Sequence, residues 1–295
     1  MIAGIGRIMH SFGYSRQAFY KRQRLEVQRE LKTQGILHAV QRIRSRQPRV
    51  GGRKLQRHLR AEGIIVGRDR LLELLRQNDL LIRRKRNYKR TTQSQHRLKT
   101  YKNKIKALEV KRPNEVYVSD ITYLKVAARY YYLFLITDLF SRKIVGYDLH
   151  PNLTTTGALN ALRMALDQRR HPGMPLIHHS DRGLQYCSRE YIELLESGQI
   201  EISMTEDNHV YENALAERIN GILKTEFFLN RQPSLETAKM AVKQSIAIYN
   251  KERLHMSLNY RTPEEVHNTD VISYGLMKDR GSTGLLKAKF LSHCN

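Results

Sequence analysis

The apolar positions change texture once along this chain. Between residues 23 and 85 they recur every three or four residues among polar ones, the spacing of helices with one buried stripe. Between 116 and 150 they form β-branched and aromatic runs broken by short turns, the pattern of strands. The periodicity predicts a short helix, a turn at Gly13 and a second short helix over 3–20, with Ser15 as N-cap of the segment carrying Phe19. A longer amphipathic helix spans 23–47 and ends at Pro48 and the Gly51-Gly52 pair. RKLQRHLRAEG (53–63) sets Leu55 and Leu59 at helical spacing and stops at Gly63; a further helix covers 68–85 after Gly67. Three strands follow at 116–126, 129–140 and 142–150, then a helix at 154–170 capped by Thr154 or Thr155. A buried-type strand at 175–181, a helix at 188–198 stopped by Gly198, a strand at 199–204 and helices over 211–230 and 234–252 complete the series. Three meandering strands followed by alternating helices and strands make an α/β domain with a mixed sheet, behind an all-α region.

Charge divides the chain near the same place. Its 295 residues carry a formal net charge of +24. Residues 1–112 hold 31 Lys and Arg against 7 Asp and Glu, whereas 113–295 hold 21 of each kind. A cation excess on segments with apolar periodicity points to a polyanion-binding module, nucleic acid first, rather than to a solvated basic tail. Helix, glycine turn and basic helix is the helix-turn-helix order, in which the second helix enters a major groove. A plain helical bundle with a charged surface shows the same pattern. The cations expected to meet DNA are Arg53, Lys54, Arg57, Arg68, Arg70, Arg83, Arg84 and Lys85. No run of about 18 apolar residues is present for a membrane span, and the polar N-terminus does not read as a signal peptide. Cys187 and Cys294 are too few and too far apart for a disulfide framework, which fits a reducing cytoplasm.

Two acids stand where burial is costly without compensation. Asp120 lies inside YVSDITYL, and Asp181 closes the strand pattern of HHSD before Gly183. A desolvated strand Asp is usually paired or bound to metal, and the first and fourth strands can bring these two together if they are neighbours. Glu217 follows Asp181 with 35 residues between them, on a predicted helix where Asn213, Glu217 and Lys224 share one face opposite Leu215, Ile219 and Ile222. Taken alone, that face reads equally as solvated surface. His178 and His179 alternate on a strand, so at most one faces a site and zinc binding is not expected. Tyr186 is superfluous as a nucleophile beside an acid triad, and His255 reads as packing or as a DNA contact.

Four segments carry a resemblance: SDITYL, HHSDRGLQYCS, SMTEDNHVYENALAERINGILKTE and YNKERLHMSLNYRTPEE. Together they resemble the catalytic core of insertion-sequence transposases of the IS-three family, the product of the second reading frame, which is related to retroviral integrases. The family signature is Asp, Asp, 35 residues, Glu, then Lys or Arg seven residues on, and Asp120, Asp181, Glu217 and Lys224 match it. Tyr117 stands where the family often has Trp. The resemblance covers about residues 35–268 and implies a ribonuclease-H-like integrase catalytic core, a mixed five-stranded sheet with flanking helices. An all-α helix-turn-helix DNA-binding region would precede it. It implies a DDE polynucleotidyl transferase that cuts DNA and joins its ends, with Asp120, Asp181 and Glu217 as catalytic and metal-holding residues. Two Mg2+ ions per active site, replaceable by Mn2+, and Lys224 on phosphate belong to the same implication. The implied partners are the element's terminal inverted repeats, target DNA, further copies of the chain in a dimer or larger assembly, and the upstream helix-turn-helix protein of the element; no membrane is involved. The expected domains are 1–85 helical and DNA-binding, 86–112 a basic linker, 113–268 the catalytic core, and 269–295 a tail of unknown role. A DNA-binding repressor with a silent core is the competing expectation; a ribonuclease H would leave the basic region unexplained.

Overall fold

The computed structural model describes residues 9, 13, 15–82, 99–169, 171–206, 214–229 and 232–269. Arg83, Arg84, Lys85, Asn213, Cys294 and all but one residue of the expected tail lie outside the described residues, as do most of 3–14 and 86–98. The chain divides into two compact units, Met1–Asn87 and Tyr88–Asn295.

The first unit holds α1 (Arg16–Arg46), α2 (Gly52–Ala61) and α3 (Arg68–Gln77). Ser15 caps α1 as expected, accepting from the Ala18 N–H at 3.1 Å, but the helix does not end near residue 20. It runs on for 31 residues, because no proline interrupts it and the single Gly35 costs only about 1 kcal/mol. Its C-terminal third buries Ala39, Val40 and Ile43 against Leu55 and Leu59 of α2 and Leu71 and Leu75 of α3. The end of α2 is a Schellman turn: Gly63 takes φ +79° and the Ile64 N–H donates to the Leu59 carbonyl at 2.8 Å. The expected helix over 68–85 is shorter. A second such turn stops it at Gln77, with Asp79 at φ 52° and the Leu80 N–H donating to the Leu75 carbonyl at 2.7 Å. Asp79 thus fills a left-handed position that sequence reading reserves for glycine.

The second unit is built on β1 (Val116–Val126), β2 (Arg129–Asp138), β3 (Ile144–His150), β4 (Ile177–Ser180) and β5 (Glu201–Met204). They form one sheet in the order β3-β2-β1-β4-β5, antiparallel from β3 to β1 and parallel from β1 to β5. This is the expected mixed five-stranded sheet. Helices α4 (Thr155–Asp167) and α5 (Arg189–Ser197) cover one face through Leu162, Ala165, Tyr191 and Leu195. On the other, α6 (Ala214–Glu226) and α7 (Leu235–Lys251) pack Ile219, Leu223, Val242 and Tyr249 onto Leu124, Leu133 and Leu135. Alternation along β1 and β2 feeds both cores. Gly146 on β3 lets α4 approach closely, since a Cβ there would collide with the Ala161 carbonyl. A short α8 (Pro263–His267) closes the described chain behind a capping box of Thr262 and Glu265. The stretch 99–112 adds Tyr101, Ile105 and Val110 to the edges of these cores, and the Lys104 N–H donates to Ser203 Oγ at 2.9 Å. Among the described residues no helix is long and apolar enough to cross a membrane.

Candidate active site

Register decides which acids meet. Strands β1 and β4 run parallel with Val116 opposite Ile177, Tyr117 opposite His178 and Val118 opposite His179. Continued by two residues, the same offset sets Asp120 level with Asp181, on strands about 4.8 Å apart. Asp181 follows the carboxyl end of β4, where open α/β sheets offer a crevice. Its Oδ1 accepts the Gly183 N–H at 2.9 Å, which turns the chain away and leaves the acid half-buried at the rim.

The electrostatics record the crowding. Burial, then the facing charge of Asp181 and, further down, that of Glu217 push the Asp120 carboxyl up to about 8, against hydrogen bonds from the Ile121 backbone and Asn220. Glu217 stands exposed in the first turn of α6, its carboxyl raised by partial burial. Lys224, seven residues on, is half-buried; desolvation lowers its pKa while the charge of Asp120 raises it. Asp120 therefore feels both other acids, Asp181 more strongly than Glu217. Among the described residues no three acid, His or Cys side chains form a ready metal cage. The donors are all carboxylate oxygens, the kind hard divalent cations take, and a carboxylate pair with a raised pKa is stabilised by such a cation. These residues fit the implied metal.

Asn220 escaped the sequence reading. It is buried on α6, and its Nδ2 donates to Asp120 Oδ2 at 2.5 Å, while its Oδ1 is buried without a partner. The signal was present: Asn220 follows Glu217 by three residues, hence on the same helix face, where Asn213 had been placed.

The neighbouring polar residues are structural. His178 Nε2 contacts Ser119 Oγ at 2.6 Å and the Tyr191 hydroxyl at 2.9 Å, and burial pushes its pKa down to about 3. His179 bonds Ser203 Oγ at 2.9 Å. Tyr186 is buried with its phenol pKa well raised, and burial pushes the Cys187 thiol up to about 11. His255 stacks edge-on to Tyr249 inside the fold. Tyr117 is buried and donates from its hydroxyl to Asn114 Oδ1 at 2.5 Å.

In the first unit Arg53, Arg57, Arg68 and Arg70 are exposed and Lys54 is half-buried. The cations concentrate on α2, which also carries Arg60 and no acid, whereas α3 balances Arg68, Arg70 and Arg76 with Asp69 and Glu73. The basic second helix expected from the sequence is thus nearly neutral, because its basic end (Arg83, Arg84, Lys85) falls beyond the stop at Gln77.

Residues 110–209 match the family model described as an integrase core domain, and residues 198–263 match a second model of that description. The chain is 35% identical to "Insertion element IS600 uncharacterized 31 kDa protein" of Shigella sonnei over 85% of its own length and 94% of that protein. It is 30% identical to "Transposase InsF for insertion sequence IS3A" of Escherichia coli (strain K12), over 77% of this chain and 80% of that one. Among solved structures, the HTLV-2 integrase catalytic core domain in complex with magnesium aligns with 53% of this chain and 98% of its own, at 22% identity and a TM-score of 0.43.

Proposed function

Because the chain belongs to the IS-three family of insertion-sequence transposases, which share the integrase core domain, we propose that Asp120, Asp181 and Glu217 are the carboxylates with which it cuts and rejoins DNA. The observation that carries this reading is the strand register that sets Asp120 and Asp181 level on adjacent parallel strands, with Glu217 and Lys224 on one helix and both in electrostatic reach of Asp120. The polynucleotidyl transfer has two balanced steps. Water displaces one side of a phosphodiester and frees a 3′-OH; that hydroxyl then displaces a second phosphodiester, so one bond forms as one breaks. Asp120, Asp181 and Glu217 would hold Mg2+, or Mn2+ in its place, two ions per site, which when bound activate the attacking oxygen and stabilise the leaving one. Asn220 holds Asp120 in place from α6. Lys224 offers its ammonium to a phosphate beside the acids. The cations of the first unit, Arg53, Lys54, Arg57, Arg68, Arg70, Arg83, Arg84 and Lys85, bind the duplex, and two or more copies assemble on paired element ends.

Incubating the protein with a duplex bearing the element's end, with and without Mg2+, tests this. Metal-dependent nicking at the end is expected from the native chain, and none from Asp181→Asn or Glu217→Gln, with binding to the same duplex retained. A duplex shifted but never nicked by the native chain would favour a DNA-binding repressor with a silent core.

A further inference from the structure

The β1–β2 hairpin beyond Asp120 carries tyrosines at 123, 130, 131 and 132. Register sorts them. Tyr123 pairs with Tyr132 and Lys125 with Tyr130, so these four share one sheet face, while Tyr131 pairs with Leu124 on the other. Tyr132 and Tyr131 pack against the two cores. Tyr123 and Tyr130 instead meet each other edge to face, with ring centroids 5.7 Å apart and planes at 89°. The Lys224 ammonium lies 4.6 Å from the Tyr123 centroid. Tyr130 keeps 58% of its surface exposed, with Lys125 and Arg129 exposed beside it.

The hairpin end is braced. The Ala127 N–H donates to the Gln232 carbonyl at 3.0 Å, and Val126 bridges to Gln232. Gln232 lies in the stretch that follows α6, so the rings and the lysine above them are tied to one frame. Tyr123 is three residues beyond Asp120 on the same strand, about 10 Å at ~3.3 Å per residue, and on the opposite sheet face; Lys224 links the two, lying over the Tyr123 ring and feeling the charge of Asp120. A single exposed tyrosine means little. An exposed ring that is propped by a second ring, with two cations beside it and a third over the second ring, has a specific chemistry. The cations suit a phosphodiester backbone, and an aromatic face suits a nucleobase of any identity. A base inside a duplex has both faces covered, so the ring can take only a base at an end, in a single strand or flipped out.

We propose that Tyr130, propped on Tyr123, stacks on an unpaired base of the strand whose phosphate Lys224 holds. This rests on reading the Asp120 crevice as the DNA-cutting site. The base comes either from the element's end or from the target strand.

The full chain is titrated in EDTA against two labelled duplexes of identical core, one blunt and one with a short single-stranded overhang. The first unit contributes equally to both, so it cancels in the ratio of their Kd values. About a 10-fold preference for the overhang is expected. Tyr130→Ala should bring the overhang Kd to the blunt value and leave the blunt value unchanged; Tyr130→Phe, which keeps the ring, should keep the preference. Equal Kd values for the native chain, or a preference that survives Tyr130→Ala, overturn the proposal. Photo-crosslinking with iodouracil, placed in turn in the end duplex and in a target duplex, shows which strand reaches Tyr130; crosslinking at Tyr130 from neither counts against it. Asp120→Asn separates the two readings. An overhang preference with cutting intact in this variant sinks the catalytic reading alone, and lost cutting with no preference sinks the stacking site alone.

Discussion

Two aspartates of the same sheet, Asp120 on β1 and Asp138 on β2, show what distinguishes a site from a support. Asp138 is 0% exposed, and its environment is built of donors. It accepts the Asn114 N–H at 2.7 Å and both the N–H and the hydroxyl of Ser141 at 2.6 Å, with His267 Nδ1 at 3.8 Å. Asp120 is only half-buried, yet it faces Asp181 and feels Glu217. Among the described residues only Asn220 supplies a side-chain donor to it, and its carboxyl is pushed up to about 8. Asp138 holds the β2–β3 corner and the start of β1 together, whereas Asp120 meets other acids and one amide. A buried acid with all its partners inside the fold is architecture; one surrounded by its own kind is a candidate for chemistry.

The widest separation is expected from paired amide substitutions. Asp120→Asn should reduce DNA cutting by 10³-fold or more, about 4 kcal/mol of barrier, while the protein stays folded and bound to DNA. Asp138→Asn should leave cutting per folded molecule near native. End-labelled duplex cleavage alongside circular dichroism reads both; equal losses of activity would erase the contrast.

Stability should order the two the other way. Asp138→Ala strands the donors of Asn114 and Ser141 inside the fold and is expected to cost about 3 kcal/mol. Urea unfolding measures it, and a loss no greater than that of Asp120→Ala would show that the hydrogen-bond shell of Asp138 carries little.

Asn220 sharpens the comparison from the site's side. Asn220→Ala should slow cutting by about 10-fold, ~1.4 kcal/mol, and raise the Mg2+ concentration needed for half-maximal rate. A rate loss with no change in the Mg2+ midpoint would assign Asn220 to packing instead of to holding Asp120.

The smallest effect is in pH dependence, measured with divalent ions chelated. Asp120 titrates at about 8 in the fold and near ~4 when unfolded. The folded state therefore keeps the proton longer, and this contribution is present below pH ~4 and lost as pH rises towards 8. Asp120→Asn removes that loss, so its stability advantage over the native chain should grow steadily between pH 5 and pH 8. An advantage independent of pH would mean that the fold does not penalise the ionised Asp120.

Much of this was legible in the order of residues. Strand and helix periods are local, so the element series, the Ser15 cap and the mixed five-stranded sheet could be read from patterns a few residues long. The spacing of Asp120, Asp181, Glu217 and Lys224 marked the candidate site through family resemblance. The stop of α5 at Gly198 was read correctly, but the turns after helices were less legible, because Asp79 and Gln199 take left-handed conformations after α3 and α5 without being glycine. Packing over-determines those turns through the contacts of Leu80 and Ile200 with the cores.

The chain by itself determined where acids, cations and aromatic residues stand along each element, since those positions follow from helical and strand repeats. Local pattern alone does not separate YVSDITYL from LITDLFSRK, two segments each bearing an acid among apolar neighbours; only the family spacing drew that line. Tertiary structure gives it a physical cause. Asp138 is closed off by Ser141, whose hydroxyl also meets His267 from 126 positions away, and Asp120 is met by Asn220 from 100 positions away. The same long reach set Asp181 level with Asp120 and put Lys224 over Tyr123. A carboxylate's energy depends on the charges and donors within a few ångströms of it, and those are brought there by strand register and helix packing, which no local repeat contains.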